Sequence, residues 1–158
     1  HEKYVFFITS MMTHVRLRLR LNILFSGSAT LRKKKQSKGN EPDASFYVQT
    51  AAAVGNRLDL NFEVDPPPDI VVEVDIHHAS TDNDAIYVAL GVPEIWRYDG
   101  VKMTILHLQG EAYVAAEASL SLPMLTPAIM TEYLDRLRRD GEFAAILAFD
   151  EWLQTLPQ

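Results

Sequence analysis

The spacing of apolar residues predicts a buried strand directly after the three prolines at 66–68. Proline is unfavourable inside a helix, and the residues that follow, from Asp69 to Ile76, are mostly β-branched and apolar, as in a buried strand. Side chains alternate across a strand, which gives it two faces. One face carries Ile70, Val72, Val74 and Ile76, and the other carries Asp69, Val71, Glu73, Asp75 and His77. We therefore predict a core on the first face and three acids on the second.

Other periodic segments predict an α/β or α+β fold. Apolar residues three and four positions apart indicate an amphipathic helix from Glu2 to about Val15, or on to Leu19. Short apolar runs predict strands over 22–28, 43–48, 58–64, 93–98, 101–108 and 111–116. Further helices are predicted from a cap at Ser80 or Thr81 to Gly91, from Pro127 to Asp140 and from Glu142 to Leu153. This order predicts a mixed sheet flanked by helices, with a β-meander and two C-terminal helices.

Composition narrows the class of protein. A chain of 158 residues with 47% hydrophobic and 23% charged residues is typical of one soluble globular domain. There is no cysteine, so a disulfide framework and a thiolate metal site are excluded, and a cytoplasmic location is expected. No apolar run approaches the roughly 20 residues of a membrane span, and no signal peptide is evident. The chain starts at His1 inside a predicted helix, so we expect a native N-terminal segment to be missing.

Charge is distributed unevenly along the chain. The formal net charge of −6 argues against a sequence-wide grip on nucleic acid, which needs clustered lysine and arginine. Basic residues nevertheless concentrate early, and a predicted mobile loop carries Lys33, Lys34, Lys35 and Lys38. Two interpretations stay open, a phosphate-binding rim and a solvated connection.

The acids of the central strand need a chemical explanation. Carboxylates on one strand face lose hydration and repel one another, and a divalent cation such as Mg²⁺ would relieve both costs. Alternatively, Asp69 caps the strand start, and Asp75 and His77 lie beyond the buried part of the strand, so that only Glu73 requires an explanation. A hydrolytic metal site using His77, His78 and Asp75 is a further candidate, although side chains adjacent on a strand point in opposite directions.

Three segments together resemble a known family: GNEPDASFYVQ, PPPDIVVEVDI and IYVALGVPEIWRYDG. They are similar to the putative restriction endonucleases of the PD-(D/E)XK nuclease superfamily. The resemblance covers nearly the whole chain and implies one nuclease-like domain over residues 1–158 with a restriction-endonuclease-like fold. It also implies hydrolysis of nucleic-acid phosphodiester bonds, with DNA as the expected partner and Mg²⁺ or Mn²⁺ as the cofactor. No membrane partner is expected, and a homodimer stays open.

The resemblance assigns site residues and exposes one departure from the family. Asp43 falls on the acid of the Pro-Asp motif and Glu73 on the second acid, and both are expected metal ligands. The superfamily lysine two positions later is Asp75 here, and the family's alternative lysine position on the next helix is Asn83. We therefore expect a weak or silent nuclease, unless a loop lysine substitutes. The alternative is a domain that binds nucleic acid or protein without cutting.

Overall fold

The computed structural model describes residues 1–31, 40–77 and 83–157. Within these ranges, the chain forms six strands and five helices. They are α1 (Glu2–Arg18), β1 (Leu24–Phe25), β2 (Ala44–Tyr47), α2 (Ala51–Val54), β3 (Ile70–Val74), α3 (Asp84–Leu90), β4 (Glu94–Tyr98), β5 (Met103–Gln109), β6 (Ala112–Ala116), α4 (Pro127–Asp140) and α5 (Glu142–Gln154). The predicted fold class, a mixed sheet flanked by helices, is confirmed.

All six described strands form one sheet in the order β1-β2-β3-β4-β5-β6. Neighbours are antiparallel except β3 and β4, which are parallel because the chain crosses between them through α3. Strand β3 lies inside the sheet, and all five of its residues are buried. The predicted meander is confirmed as β4, β5 and β6.

The two faces of β3 pack into two separate apolar clusters. Ile70, Val72 and Val74 belong to the larger cluster, which α1, α4 and α5 complete and which includes the fully buried Trp96. Val71 points to the opposite face, into a smaller cluster of Leu31, Phe62, Val71, Tyr87, Leu90, Val92 and Ile95. The predicted alternation is therefore correct, but the acidic face is covered as well. Glu73, which lies on that face, is consequently buried as well.

Helix α4 shows how local sequence fixes an element. The Thr126 hydroxyl accepts a hydrogen bond from the Ile129 amide at 3.1 Å, and Pro127 occupies the first helical turn. Gly141 ends the helix with a φ of 93°, a conformation that favours glycine. The predicted bounds, Pro127 to Asp140, are confirmed.

The predicted strand over 58–64 is wrong. These residues form turns and bends, and Leu58 and Val64 are largely exposed. The Asp65 carboxylate accepts from the Asn61 amide at 2.7 Å and pairs with Arg57, which closes the segment on itself. Its apolar residues therefore have no neighbouring strand to pair with in the described fold.

Several other elements differ from the prediction. Helix α2 was not predicted, and β1 is only two residues long. Helix α3 begins at Asp84 with Asn83 at its N-cap, whereas the sequence suggested a cap at Ser80 or Thr81, which lie outside the described residues. Among the described helices, none is long and apolar enough to cross a membrane.

Candidate active site

Asp43 and Glu73 lie beside each other at the junction of β2 and β3. Ala44 is the register partner of Val72, so Asp43 precedes β2 directly beside Glu73. The Asp43 amide donates to the Val72 carbonyl at 3.0 Å, and its Oδ2 accepts from the Val74 amide at 2.7 Å. These two bonds hold Asp43 to the residues on either side of Glu73. The structure thus brings the two predicted acids together on neighbouring strands.

Glu73 is buried, and two neighbouring side chains donate to one of its oxygens. Its Oε1 accepts from the Tyr87 hydroxyl and from the Asn40 amide, the latter at 3.2 Å. The Asn40 amide also donates to the Tyr87 hydroxyl, so the three groups form a closed triangle. Burial raises the pKa of Tyr87, and the Glu73 charge adds to this rise, which keeps the phenol protonated as a donor.

The electrostatics of Glu73 are unfavourable for its charged form. Burial raises the pKa of Glu73 to about 7, and the nearby charges of Asp43 and Asp75 act in the same direction. The hydrogen bonds from Tyr87 and Asn40 oppose this rise without cancelling it. A positively charged side chain or a metal cation beside Glu73 would favour the ionised form of its carboxylate.

Arg97 is a partly buried cation next to this acid pair. It is the register partner of Glu73 on the parallel strand β4, and its side chain is 14% exposed. Its Nε lies 3.2 Å from Asp75 Oδ2, and its Nη2 lies 2.7 Å from Asp84 Oδ1. Burial acts to lower the pKa of Arg97, but the hydrogen bond and charge of Asp84 outweigh it, so the pKa is raised. Arg97 is thus a fixed positive charge.

His1 approaches the site from the start of α1. Its Nε2 lies 3.1 Å from Asp43 Oδ1, and its Nδ1 lies 2.8 Å from Glu2. The hydrogen bond to Glu2 raises the pKa of His1, and Asp43 adds to this rise against the opposing effect of burial. The imidazole is half-exposed, so it borders the site on its solvent side.

Comparison with known proteins identifies the family. The model of the Uma2 family, described as putative restriction endonuclease, matches residues 1–134. The chain belongs to this family. A crystal structure of a putative nuclease belonging to DUF820 from Anabaena variabilis ATCC 29413 superimposes on it with a TM-score of 0.51. That structure is 11% identical, with 80% of this chain and 76% of the other covered, so it shows a shared fold. No curated protein matches the chain.

Asp69 does not join the acid pair of this Uma2 domain. Its Oδ2 accepts from the Val48 amide at 2.7 Å and from the Thr50 amide and hydroxyl at 3.0 and 2.9 Å. It is four residues from Glu73, or roughly 13 Å along the strand, too far to share one cation. The interpretation of Asp69 as a residue that fixes the strand start is therefore the better one.

The other residues that the sequence suggested for the site lie at separate positions in the structure or outside its described part. Asp75 pairs with Arg97, and Asn83 immediately precedes Asp84 at the start of α3 without a capping hydrogen bond from its side chain. His77 is exposed, and His78 lies outside the described residues, as do Lys33, Lys34, Lys35 and Lys38. The third candidate, a site of His77, His78 and Asp75, gains no support from this arrangement.

Sequence reasoning missed the groups that surround Glu73. Asn40 and Tyr87 are 33 and 14 residues away from it along the chain, so no local pattern connects them. Arg97 did leave a signal, because an arginine that follows the apolar residues Ile95 and Trp96 in a strand needs a partner. That signal indicates a buried ion pair but does not identify Asp75 and Asp84 as its acids.

Proposed function

We propose that this domain is a metal-dependent nuclease that hydrolyses phosphodiester bonds in DNA, with Asp43 and Glu73 as ligands of Mg²⁺ or Mn²⁺. The observation that carries the proposal is the buried Glu73 held beside Asp43 on two neighbouring strands, in a chain of a putative restriction endonuclease family. Two like charges placed together in a poorly hydrated position are costly unless a cation or a proton joins them.

The chemistry of the donor set suits a hard cation. Among residues 1–31, 40–77 and 83–157, no group of three or more histidine, cysteine, aspartate or glutamate side chains could hold a metal. The pair of Asp43 and Glu73 is nevertheless sufficient for Mg²⁺, which commonly takes one or two carboxylates and keeps several waters. A site that supplies few protein ligands leaves positions for a substrate phosphate and for the attacking water.

The residues of the chain would prepare such a site in advance. A bound divalent cation supplies charge neutralisation on the scissile phosphate and lowers the pKa of a bound water. Tyr87 and Asn40 both donate to Oε1 of Glu73 and so fix the rotation of its carboxylate. The Val74 amide fixes Asp43 through Oδ2. Ligands that are already held in place need little rearrangement to bind the cation.

Lysines from the segment 32–39 are proposed to contact the phosphate backbone. The chain leaves the described fold at Leu31 and returns at Asn40, and these two residues form a β-bridge. Asn40 also bonds Glu73, so both ends of this segment are anchored beside the acid pair. We therefore propose that Lys33, Lys34, Lys35 and Lys38 contact a nucleic acid bound across Asp43 and Glu73.

Replacing Lys33, Lys34, Lys35 and Lys38 with alanine is expected to weaken DNA binding and to flatten its salt dependence. For every lysine–phosphate pair that the substitutions remove, the slope of log affinity against log salt should fall by about 0.9. The measurement is fluorescence anisotropy of a labelled duplex in Ca²⁺ over a salt series. Unchanged affinity and slope would leave this segment as a solvated connection only.

The function itself is tested by cleavage of supercoiled plasmid and short duplexes in Mg²⁺ and in Mn²⁺. Wild type is expected to cut, and Glu73→Ala and Asp43→Asn are expected to lose cutting. The matched control is Glu151→Ala, which removes an exposed glutamate on α5. Cutting that persists in Glu73→Ala would disprove the assignment, and cutting of RNA but not DNA would reassign the substrate.

A binding domain that does not cut is the second candidate. It is favoured by one feature of the sequence: Asp75 and Asn83 stand at the two positions where the resemblance leads us to expect a lysine. Such a domain would bind the duplex in the anisotropy experiment and leave it intact in Mg²⁺ and Mn²⁺. Metal-dependent cutting that requires Glu73 excludes it.

A further inference from the structure

We propose that Arg97 supplies the positive charge that a lysine supplies in related nucleases, and that it acts on the substrate phosphate. This inference rests on the proposed nuclease function. It concerns a residue on β4, a strand that carries neither of the two proposed ligands.

The geometry of the Arg97 guanidinium is the first support. The two sequence positions at which a lysine is expected are 75, on the strand of Glu73, and 83, at the start of α3. Arg97 Nε contacts Asp75 at 3.2 Å, and its Nη2 contacts Asp84, the neighbour of Asn83, at 2.7 Å. The guanidinium therefore spans the two places from which a lysine would otherwise reach the site.

The position of Arg97 in the sheet is the second support. Glu73 and Arg97 are register partners on parallel strands, which lie about 4.8 Å apart. Arg97 shares the face of Ile95, which belongs to the same small cluster as Val71 and Tyr87. Glu73 and Arg97 thus project from the same side of the sheet, towards the same end of α3.

The charge balance leaves room for both Arg97 and a divalent cation. Arg97 pairs with Asp75 and Asp84 and is the register partner of Glu73, and Glu73 in turn lies beside Asp43. One arginine cannot neutralise all of them, so the site stays attractive to a cation while holding one fixed positive charge. Guanidinium groups match phosphate geometry and are always charged, which suits a permanent contact to a phosphate oxygen.

The competing explanation is that Arg97 only stabilises the fold through its ion pairs with Asp75 and Asp84. A double-mutant cycle distinguishes this structural role from a role in cleavage. Arg97→Gln is expected to lower metal-dependent cleavage by about 10²-fold, as when one electrostatic interaction with a transition state is removed. Adding Asn83→Lys to Arg97→Gln is expected to restore most of that activity. The same Asn83→Lys change is expected to help less in wild type, because two groups that supply one charge have non-additive effects.

Two binding measurements give readouts that do not depend on cleavage. In Arg97→Gln, Mn²⁺ measured by titration calorimetry is expected to bind roughly tenfold more tightly, because a positive charge near the cation is removed. Duplex binding in Ca²⁺ is expected to weaken several-fold, because the guanidinium no longer pairs with a phosphate. A structural role alone would predict weaker binding of both, as the acids lose their support.

The matched control is Arg57→Gln, which removes another arginine that pairs with a buried acid, Asp65, outside the acid pair. It should leave Mn²⁺ and duplex affinity unchanged. If Arg97→Gln does not fold, Arg97→Lys takes its place. That variant keeps the charge, and it is expected to fold and to retain more than about a tenth of wild-type cleavage.

Three results would overturn the proposal: wild-type cleavage in Arg97→Gln, strictly additive effects in the cycle, or loss of both Mn²⁺ and duplex affinity. Failure of the nuclease function gives a different pattern. In that case wild type does not cut in any Glu73-dependent way, while the two binding measurements still decide whether Arg97 acts on cation and phosphate.

Discussion

At the scale of single residues, the surroundings of Glu73 disfavour a charged carboxylate. It is almost fully buried in the sheet, and burial together with Asp43 and Asp75 raises its pKa from 4.5 to about 7. Between these two values the folded protein holds a proton that the unfolded chain has released. The free energy of unfolding of the metal-free protein should therefore fall as pH rises from about 4.5 to about 7.

Glu73→Gln is accordingly expected to stabilise the metal-free protein at pH 8. The amide cannot ionise, so the cost of a buried charge disappears, and a shift from 4.5 to about 7 corresponds to about 3 kcal/mol at most. The gain should shrink to near zero at pH 4.5, where wild-type Glu73 is protonated when folded. Urea denaturation in EDTA at several pH values measures it.

Glu151→Gln is the control for this pH series, because it removes an exposed carboxylate. Its effect on the free energy of unfolding should be small at every pH. If Glu73→Gln were equally neutral at pH 8, the buried carboxylate would carry no electrostatic cost, and a cation would not be needed to offset it.

Asn83→Lys is expected to raise metal-dependent cleavage in the wild-type background. Position 83 immediately precedes Asp84, whose carboxylate contacts Arg97, so an added ammonium would lie near the acid cluster. Arg97 shares its charge between Asp75 and Asp84, so we expect wild type to cut only weakly. A second positive charge should increase plasmid and duplex cutting by about tenfold.

Asn22→Lys makes the same change at an exposed position before β1 and should have no such effect. Glu73→Ala serves as the blank for both proteins. Equal and strong cutting by wild type and Asn83→Lys would mean that the lysine's role is already filled, whereas no cutting by either would favour the binding domain.

The residues of the site differ in how well the sequence predicts them. Glu73 follows from strand alternation, and the resemblance of EPD and EVD to nuclease motifs points to Asp43 and Glu73 together. Asn40, Tyr87 and Arg97 could not be connected to Glu73, because contacts between distant segments depend on the sheet order and on the crossover through α3. A sequence pattern gives faces and spacing but not which segments meet.

At the scale of elements, helices α1 and α5 are joined by one acid that bonds three side chains. Asp150 accepts two hydrogen bonds from Arg18 at 2.9 and 2.8 Å, lies 2.9 Å from His14 Nδ1 and accepts from Gln154 at 3.0 Å. The hydrogen bonds from Arg18 and His14 hold the pKa of Asp150 well below its usual range. This cluster ties the first described helix to the last.

Asp150→Asn is expected to lower the free energy of unfolding by about 2 kcal/mol, the usual cost of losing hydrogen bonds between charged groups. Glu132→Gln, which removes one half of an exposed pair with Arg136, should cost about 0.5 kcal/mol or less. Urea denaturation at neutral pH measures both. Equal effects would show that the α1–α5 cluster contributes no more than a surface pair.

Elements with strong local signals were predicted well, and those that depend on their neighbours were not. Helix α4 matches its prediction because a cap, a proline and a glycine all lie in the sequence itself. The segment 58–64 has the apolar content of a strand, but Asp65 and Arg57 close it into turns. Strand pairing requires a partner edge, which a single segment cannot specify.

For the molecule as a whole, the sheet has two covered faces, and the acid pair lies on the less extensively packed one. Helices α1, α4 and α5 build the large cluster, while α3 and residues near Leu31 and Phe62 cover part of the opposite face. The parallel pairing of β3 and β4 places Arg97 directly beside Glu73. An antiparallel pair joined by a tight turn would align other residues with each other. The crossover through α3 brings Tyr87 over the same carboxylate.

The most direct test of the proposed metal site is the anomalous difference map of crystals soaked in Mn²⁺. We predict one Mn²⁺ ion bound by oxygens of both Asp43 and Glu73 at about 2.1–2.2 Å, and no ion at this position in crystals of Glu73→Ala. An ion bound elsewhere, or an empty site with the two carboxylates more than about 8 Å apart, would contradict this prediction, because two such ligand bonds cannot span that distance.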